Sequence, residues 1–200
     1  MAEIEMRPIR RSDYRPLAEM IDKEWLFSLY SKTKGLDLAE YYLMHCLHGS
    51  NEAEVLTVDG QVEGVLVVRE AGDDVLDFSD DMKSSLDSVK DVPGFDECIR
   101  DLEAIYGQYE LFARDHKSPE WAELRLVILS DRNKGMGLGR RLIEEAKRMA
   151  KDRGKTALFF FTDTDCNFGF YDHIGAVRVD EGCVLCMGQP LRMFAYRLDV

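Results

Sequence analysis

The sequence predicts an α/β fold: a mixed, mostly antiparallel sheet flanked by helices, with one parallel crossover. Three stretches of the 200 residues carry that reading. Residues 53–58 and 61–69 are apolar-rich, strand-like runs joined at Asp59-Gly60, a strong hairpin signal because both turn positions need positive φ. Residues 122–161 run from a strand (AELRLVIL) through a glycine-rich turn and a helix to a short apolar strand (TALFFF), the composition of a right-handed crossover unit. Two further strand-like runs, AVRV at 176–179 and LRMFAYRL at 191–198, close the chain.

Each element follows in order. EIEMRPI (3–9) alternates apolar and polar residues in the manner of a strand. Ser12 or Asp13 then stands where it would cap a helix whose stripe is Leu17, Met20, Ile21 and Trp25. A second helix is expected over 37–48, with Leu38, Tyr41, Tyr42 and Cys46 at helical spacing. After the hairpin, residues 71–118 hold thirteen acidic against five basic residues, two thirds of the chain's net charge of −12. Helical periodicity at Leu86/Val89 and at Cys98/Leu102/Ile105/Tyr106/Tyr109, broken at Pro93-Gly94, marks this segment as an inserted helical pair within a single domain. Beyond the strand at 122–129, an amphipathic helix carries Leu142, Ile143, Ala146, Met149 and Ala150 and ends at Gly154. TALFFF is apolar throughout, as a buried parallel strand requires, and 166–173 suits a short helix.

Composition narrows the function classes. The hydrophobic fraction of 46% is that of a globular chain with a real core. The negative charge argues against a nucleic-acid partner, and no apolar run approaches a membrane span. Five cysteines and no charged-then-apolar leader suggest free thiols in a reducing cytoplasm.

The chemistry is concentrated in LSDRNKGMGLGRRLI (129–143), where Gly135, Gly137 and Gly139 alternate just before a helix. The first amides of a helix have no internal partner and lie at the positive end of its dipole. Residues without side chains let a phosphate reach them. Arg132, Lys134, Arg140 and Arg141 add positive charge to an otherwise acidic chain. A P-loop would place Lys-Ser/Thr after the last glycine, where Arg-Arg stands. A dinucleotide fold would read G-x-G-x-x-G on its first strand, and this turn reads G-x-G-x-G late in the chain.

The stretch resembles the acyl-CoA pyrophosphate loop of the GNAT superfamily of N-acetyltransferases, whose pattern is Arg/Gln-x-x-Gly-x-Gly/Ala. Two registers fit, one opening at Arg132 and one at Lys134. The second sets Leu142-Ile143 where the family usually has Leu-Leu, and is preferred, although Lys lacks the fork of Arg. A second motif agrees: Phe170-Tyr171-Asp172-His173-Ile174-Gly175 matches the family's Phe-Tyr-x-x-x-Gly, while Thr164 stands where the family usually has Asn. The order of elements resembles the family over nearly the whole chain, with 71–118 outside it.

The resemblance implies a GNAT-like sheet, acetyl-CoA as acyl donor and direct transfer of the acetyl group to a primary amine in a ternary complex. It implies cofactor contacts from Leu129, Lys134, Gly135, Met136, Gly137, Leu138, Gly139 and Arg140, with oxyanion donors near Val127 to Leu129. Tyr171 matches the family's general acid, since a phenol is neutral near pH 7 and can donate a proton to the leaving thiolate. Glu123, on the strand before the glycines, is the expected base, with Asp163 or a water path as alternatives. The acceptor is a small-molecule or peptide amine. A module that holds acyl-CoA without turnover, or a dinucleotide-binding domain, is the competing reading. The acidic pair would border the acceptor pocket and favour a cationic acceptor, or pack on the sheet or on a second subunit in a homodimer. No metal site is expected: Cys183-x-x-Cys186 has no second half and reads as hairpin, His45 and His48 lack a third ligand, and Phe159–Phe161 reads as core.

Overall fold

A computed structural model describes residues 2–70, 72, 74–133 and 135–200. In chain order the elements are β1 (Ile4–Pro8), α1 (Tyr14–Trp25), α2 (Gly35–Leu47), β2 (Glu52–Val58), β3 (Gln61–Arg69), α3 (Ser79–Val89), α4 (Phe95–His116), β4 (Trp121–Leu129), α5 (Leu138–Asp152), β5 (Ala157–Asp163), α6 (Phe168–His173), β6 (Val177–Cys186) and β7 (Gln189–Asp199). The seven strands form one sheet in the order β1-β2-β3-β4-β5-β7-β6. Every neighbouring pair is antiparallel except β4 and β5. The hairpin between β2 and β3 turns where expected, with Asp59 at φ 50° and Gly60 at φ 76°.

Side chains alternate across a strand, so each strand feeds two cores. On one face Leu17 and Ile21 of α1 and Leu38 and Leu43 of α2 pack on Val55, Val65, Val67 and Ile128. Farther along that face Tyr109 and Phe112 of α4 cover Phe159, Met193 and Ala195. On the opposite face Leu142, Ile143, Ala146 and Met149 of α5 pack on Leu66, Val68, Leu124, Leu158 and Phe160. The acidic segment forms the helices α3 and α4, a detour between two strands that pair with each other.

Three local expectations are revised. Asp13 sits at the N-cap of α1 but its side chain makes no cap bond. Its carboxylate instead takes the Arg7 fork at 2.7 and 2.8 Å and the Arg10 amide at 2.8 Å, because a bidentate guanidinium outbids a helix amide. TALFFF is not simply a parallel strand: β5 pairs with β4 at three positions only and with β7, antiparallel, over its whole length. The second helix starts at Gly35, two residues early. Among the described residues no helix is long and apolar enough to cross a membrane.

Candidate active site

The parallel pair does not stay paired. β4 and β5 are in register at Trp121↔Ala157, Ala122↔Leu158 and Glu123↔Phe159, and no pair follows. From Leu124 to Leu129 the edge of β4 facing β5 is open, while its other edge stays bonded to β3. The sheet is thus split into a fork whose prongs are the C-terminal halves of β4 and β5. A bulge adds to the distortion: Val67 pairs with Leu126 and Val68 with Leu124, so Arg125 is the extra residue. The bulge reverses the alternation of β4. Ala122 and Leu124 face α5, whereas Leu126 and Ile128 face the other core.

Leu129, at the tip of the β4 prong, leads into the glycine turn. Gly135 (φ 87°) and Gly137 (φ 74°) take left-handed backbone conformations, and a Cβ at either would meet nothing within 4 Å. Both are therefore needed for conformation and border open space. Gly137 is the N-cap of α5, and the first bond of that helix runs from the Arg141 amide to the Gly137 carbonyl at 3.1 Å. The amides of Gly139 and Arg140 find no acceptor outside the helix among the described residues, whereas that of Met136 bonds Asn133 at 3.3 Å. Met136 is exposed and Leu138 is buried. Arg140 is exposed at the mouth. Lys134 lies outside the described residues. Arg132, the key residue of the other register, is committed to Glu63 at 3.0 Å and to the Val62 carbonyl at 3.0 Å.

Tyr171 lies on the face of α5, its ring centroid 4.7 Å from Phe160 on the β5 prong and 5.4 Å from Phe170. Phe170 in turn stands 3.4 Å from where a Cβ on Gly139 would be, so α6 abuts the start of α5. The Tyr171 hydroxyl makes no hydrogen bond among the described residues. Burial, with the nearby Cys166, Asp163 and Glu24, pushes its phenol well above the ordinary value, so it stays a protonated donor.

Glu123 stands elsewhere. It is the last residue of β4 paired with β5, at the crotch of the fork, 6% exposed. Its carboxylate takes Lys117 Nζ at 2.5 Å and lies 3.9 Å from Arg69. Burial drives its pKa up, but the Lys117 ammonium outweighs that and holds it below the usual carboxylate range. A carboxylate so held is a weak base. Asp163 ends β5 and caps the following turn, accepting the amides of Asp165 at 3.0 Å and Cys166 at 3.2 Å. Burial raises its pKa against those bonds.

On the α2/α4 face the fork opens into a cavity of about 570 Å³. Leu124 and Arg125 of β4 and Phe161 of β5 line it, together with His45 of α2 and Tyr106 and Tyr109 of α4. Sequence reasoning did not single out Arg125, because in AELRLVIL it reads as an ordinary polar-face residue of an alternating strand, and the cavity beside it is built by residues distant in sequence. His45 and His48 also line the cavity, and among the described residues no group of three or more His, Cys, Asp or Glu is arranged to hold a metal. Cys183 and Cys186 are free thiols at the β6–β7 hairpin end.

Residues 80–175, from the start of α3 through the glycine turn to Gly175, match the acetyltransferase (GNAT) family. The chain carries a GNAT acetyltransferase domain. The whole fold agrees. The ribosomal-protein-S18-alanine N-acetyltransferase of Escherichia coli superposes with a TM-score of 0.58 at 12% identity, covering 99% of this chain and 94% of that one. An N-acetyltransferase from Staphylococcus aureus Mu50 gives 0.58 at 13% identity, over 98% of both chains. A Salmonella typhimurium protein, yncA, whose structure holds its cofactor acetyl-CoA, gives 0.55 at 14% identity, over 98% of this chain and 93% of that one. No curated protein matches the sequence. The GNAT match spans the two acidic helices as well as both motifs, and it makes the chain an acyltransferase by family.

Proposed function

We propose that this GNAT domain moves an acetyl group from acetyl-CoA to a primary amine by direct attack, with both substrates bound at the fork. One observation carries the reading: the open edge of β4 leads towards two left-handed glycines whose Cβ positions are vacant and towards amides of α5 that have no acceptor outside the helix among the described residues. A diphosphate fits there because its oxygens need donors without side chains around them, and the helix dipole favours its charge. Gly135, Gly137, Gly139 and Arg140 would hold it, with Lys134 beside them and Met136 and Leu138 flanking. Acetyl-CoA supplies an activated acyl group on a thioester.

The chain's own residues do the rest. Peptide N–H groups of Val127 to Leu129 on the open edge would point at the carbonyl oxygen and stabilise negative charge developing there. Tyr171 keeps its proton at neutral pH and would give it to the departing sulfur. Glu123 remains the carboxylate nearest the crotch, but its bond to Lys117 favours loss of the amine's proton through water.

That same bond favours a second reading, a module that binds acyl-CoA without turnover. Mixing protein, acetyl-CoA and an amine panel while following free thiol separates the two: release above background supports transfer, and tight binding without release supports the module. A rise in melting temperature with CoA but not with NAD removes the dinucleotide alternative.

A further inference from the structure

The cavity lies on the α2/α4 face of the sheet, opposite α5, whose first turn would grip the acyl donor. Yet it is lined by Arg125 on one prong and Phe161 on the other, both just past the last paired positions of the fork. A molecule seated there reaches the fork from the side opposite Tyr171. Its floor and walls are mostly apolar and aromatic, with Tyr106, Tyr109 and Phe161 prominent.

Arg125 is the unusual group. Its side chain lines this cavity and is mostly buried there. Its one hydrogen bond is from Nη2 to the His45 carbonyl at 3.3 Å, and it has no ion pair among the described residues. A guanidinium withdrawn from water with no carboxylate in ion-pair contact, Glu123 acting on it only from farther off, is costly, and it is complementary to a carboxylate. Arg69 lies at the same cavity wall, 3.9 Å from Glu123. His45, next to Arg125, adds no charge at neutral pH: burial and the Arg125 charge push its pKa down to about 4. The carboxylates of the cavity, Glu103 and Glu110, stand on the exposed side of α4, at its rim.

We infer that the acceptor is a carboxylate-bearing amine with an apolar or aromatic body, in its simplest form an amino acid, whose carboxylate is held by Arg125. The inference rests on the acyltransfer reading for the fate of the amine. It replaces the cationic acceptor suggested by the acidic segment: α3 and α4 do border the cavity, but the charged side chains its strands contribute, Arg69 and Arg125, are positive. A volume of about 570 Å³ admits one amino acid or a short peptide end. Arg125 is thus a specificity residue, and it separates substrates by a carboxylate alone.

The test uses matched pairs differing only in that group: phenylalanine and phenethylamine, tyrosine and tyramine, leucine and isoamylamine. Thiol release from acetyl-CoA and calorimetric binding are measured for each, on the full chain. For at least one pair the carboxylated member should have the higher kcat/KM, by about tenfold or more, the range of a hydrogen bond to a charged group. Arg125→Gln should bring that ratio near one, chiefly through KM, and Arg125→Lys should leave an intermediate ratio. Arg125→Lys and the wild-type ratio carry the test if Arg125→Gln does not fold. Transfer that is equal for both members of every pair, or better without the carboxylate, overturns the acceptor class and leaves the acyltransfer reading standing. Tighter binding of the carboxylated member, lost in Arg125→Gln but with no thiol release from any amine, upholds the Arg125 site and overturns acyl transfer. Absence of discrimination in both binding and transfer overturns the Arg125 inference.

Discussion

Gly137→Ala is the sharpest probe of the glycine turn. Gly137 holds φ 74° at the N-cap of α5, and the added methyl would meet no protein atom within 4 Å. Two effects then separate. Backbone strain in the left-handed region costs about 1–2 kcal/mol, partly offset by the stiffer unfolded chain, so the melting temperature should fall by roughly 2–4 °C. If the diphosphate lies against these amides, the methyl also displaces it. Losing a charge-assisted hydrogen bond of about 1.5–3 kcal/mol weakens CoA binding about 10- to 100-fold. Gly154→Ala is the matched control: Gly154 has φ 72°, equally open surroundings, and lies at the far end of the same helix. Both variants should lose similar stability in a thermal melt, and only Gly137→Ala should lose CoA affinity in calorimetry. Equal CoA affinity in the two variants would refute the argument that this turn binds the cofactor.

Tyr171→Phe should leave folding within about 0.5 kcal/mol of wild type, since the hydroxyl is unbonded among the described residues, and should cut the rate of thiol release about 100-fold at saturating acetyl-CoA; an unchanged rate removes Tyr171 as the acid. Glu123→Gln strands Lys117 beside a neutral amide and should cost about 3 kcal/mol in urea unfolding at pH 7. Because the folded pKa of Glu123 lies below its ordinary 4.5, the wild type gains from this carboxylate above that pH and loses the gain as pH falls through the folded value. Urea melts from pH 3 to 6 should therefore show a weaker acid-side slope in the variant. His45 has the opposite character: its folded pKa, pushed down from 6.5 to about 4, makes the unfolded chain the better proton acceptor between those values. Stability should decline as pH drops from 6.5 towards 4, and His45→Gln should flatten that window; an identical pH profile would show that His45 is not buried as described.

Local devices were legible in the sequence and pairing was not. Asp59-Gly60 announces its turn because left-handed conformations at two adjacent residues favour few residue types, and the turn is where those residues are. The glycine stretch is legible for the same reason at Gly135 and Gly137. Gly139 differs: it is an ordinary helical residue, and a Cβ there would stand 3.4 Å from Phe170. Three alternating glycines thus have more than one cause, which spacing alone does not separate. The misreading of Asp13 shows the limit of a local rule, since Arg7 on a neighbouring strand takes the carboxylate that a cap would use.

The fork and the bulge have no local signature because both are decided by partners far away in sequence. AELRLVIL reads as one alternating strand, yet Arg125 is inserted against β3 and the faces exchange at that point. Before the bulge, Leu124 packs towards α5; after it, Leu126 and Ile128 pack towards α1 and α2; Arg125, at the bulge, lines the cavity between α2 and α4. A regular β4 would keep one alternation throughout and would set residues 126 and 128 on the side of Leu124. Two separate irregularities of β4, the bulge against β3 and the early end of its pairing with β5, thus meet beside the cavity that Arg125 lines, and the place where the ladder fails is where the proposed chemistry would be housed.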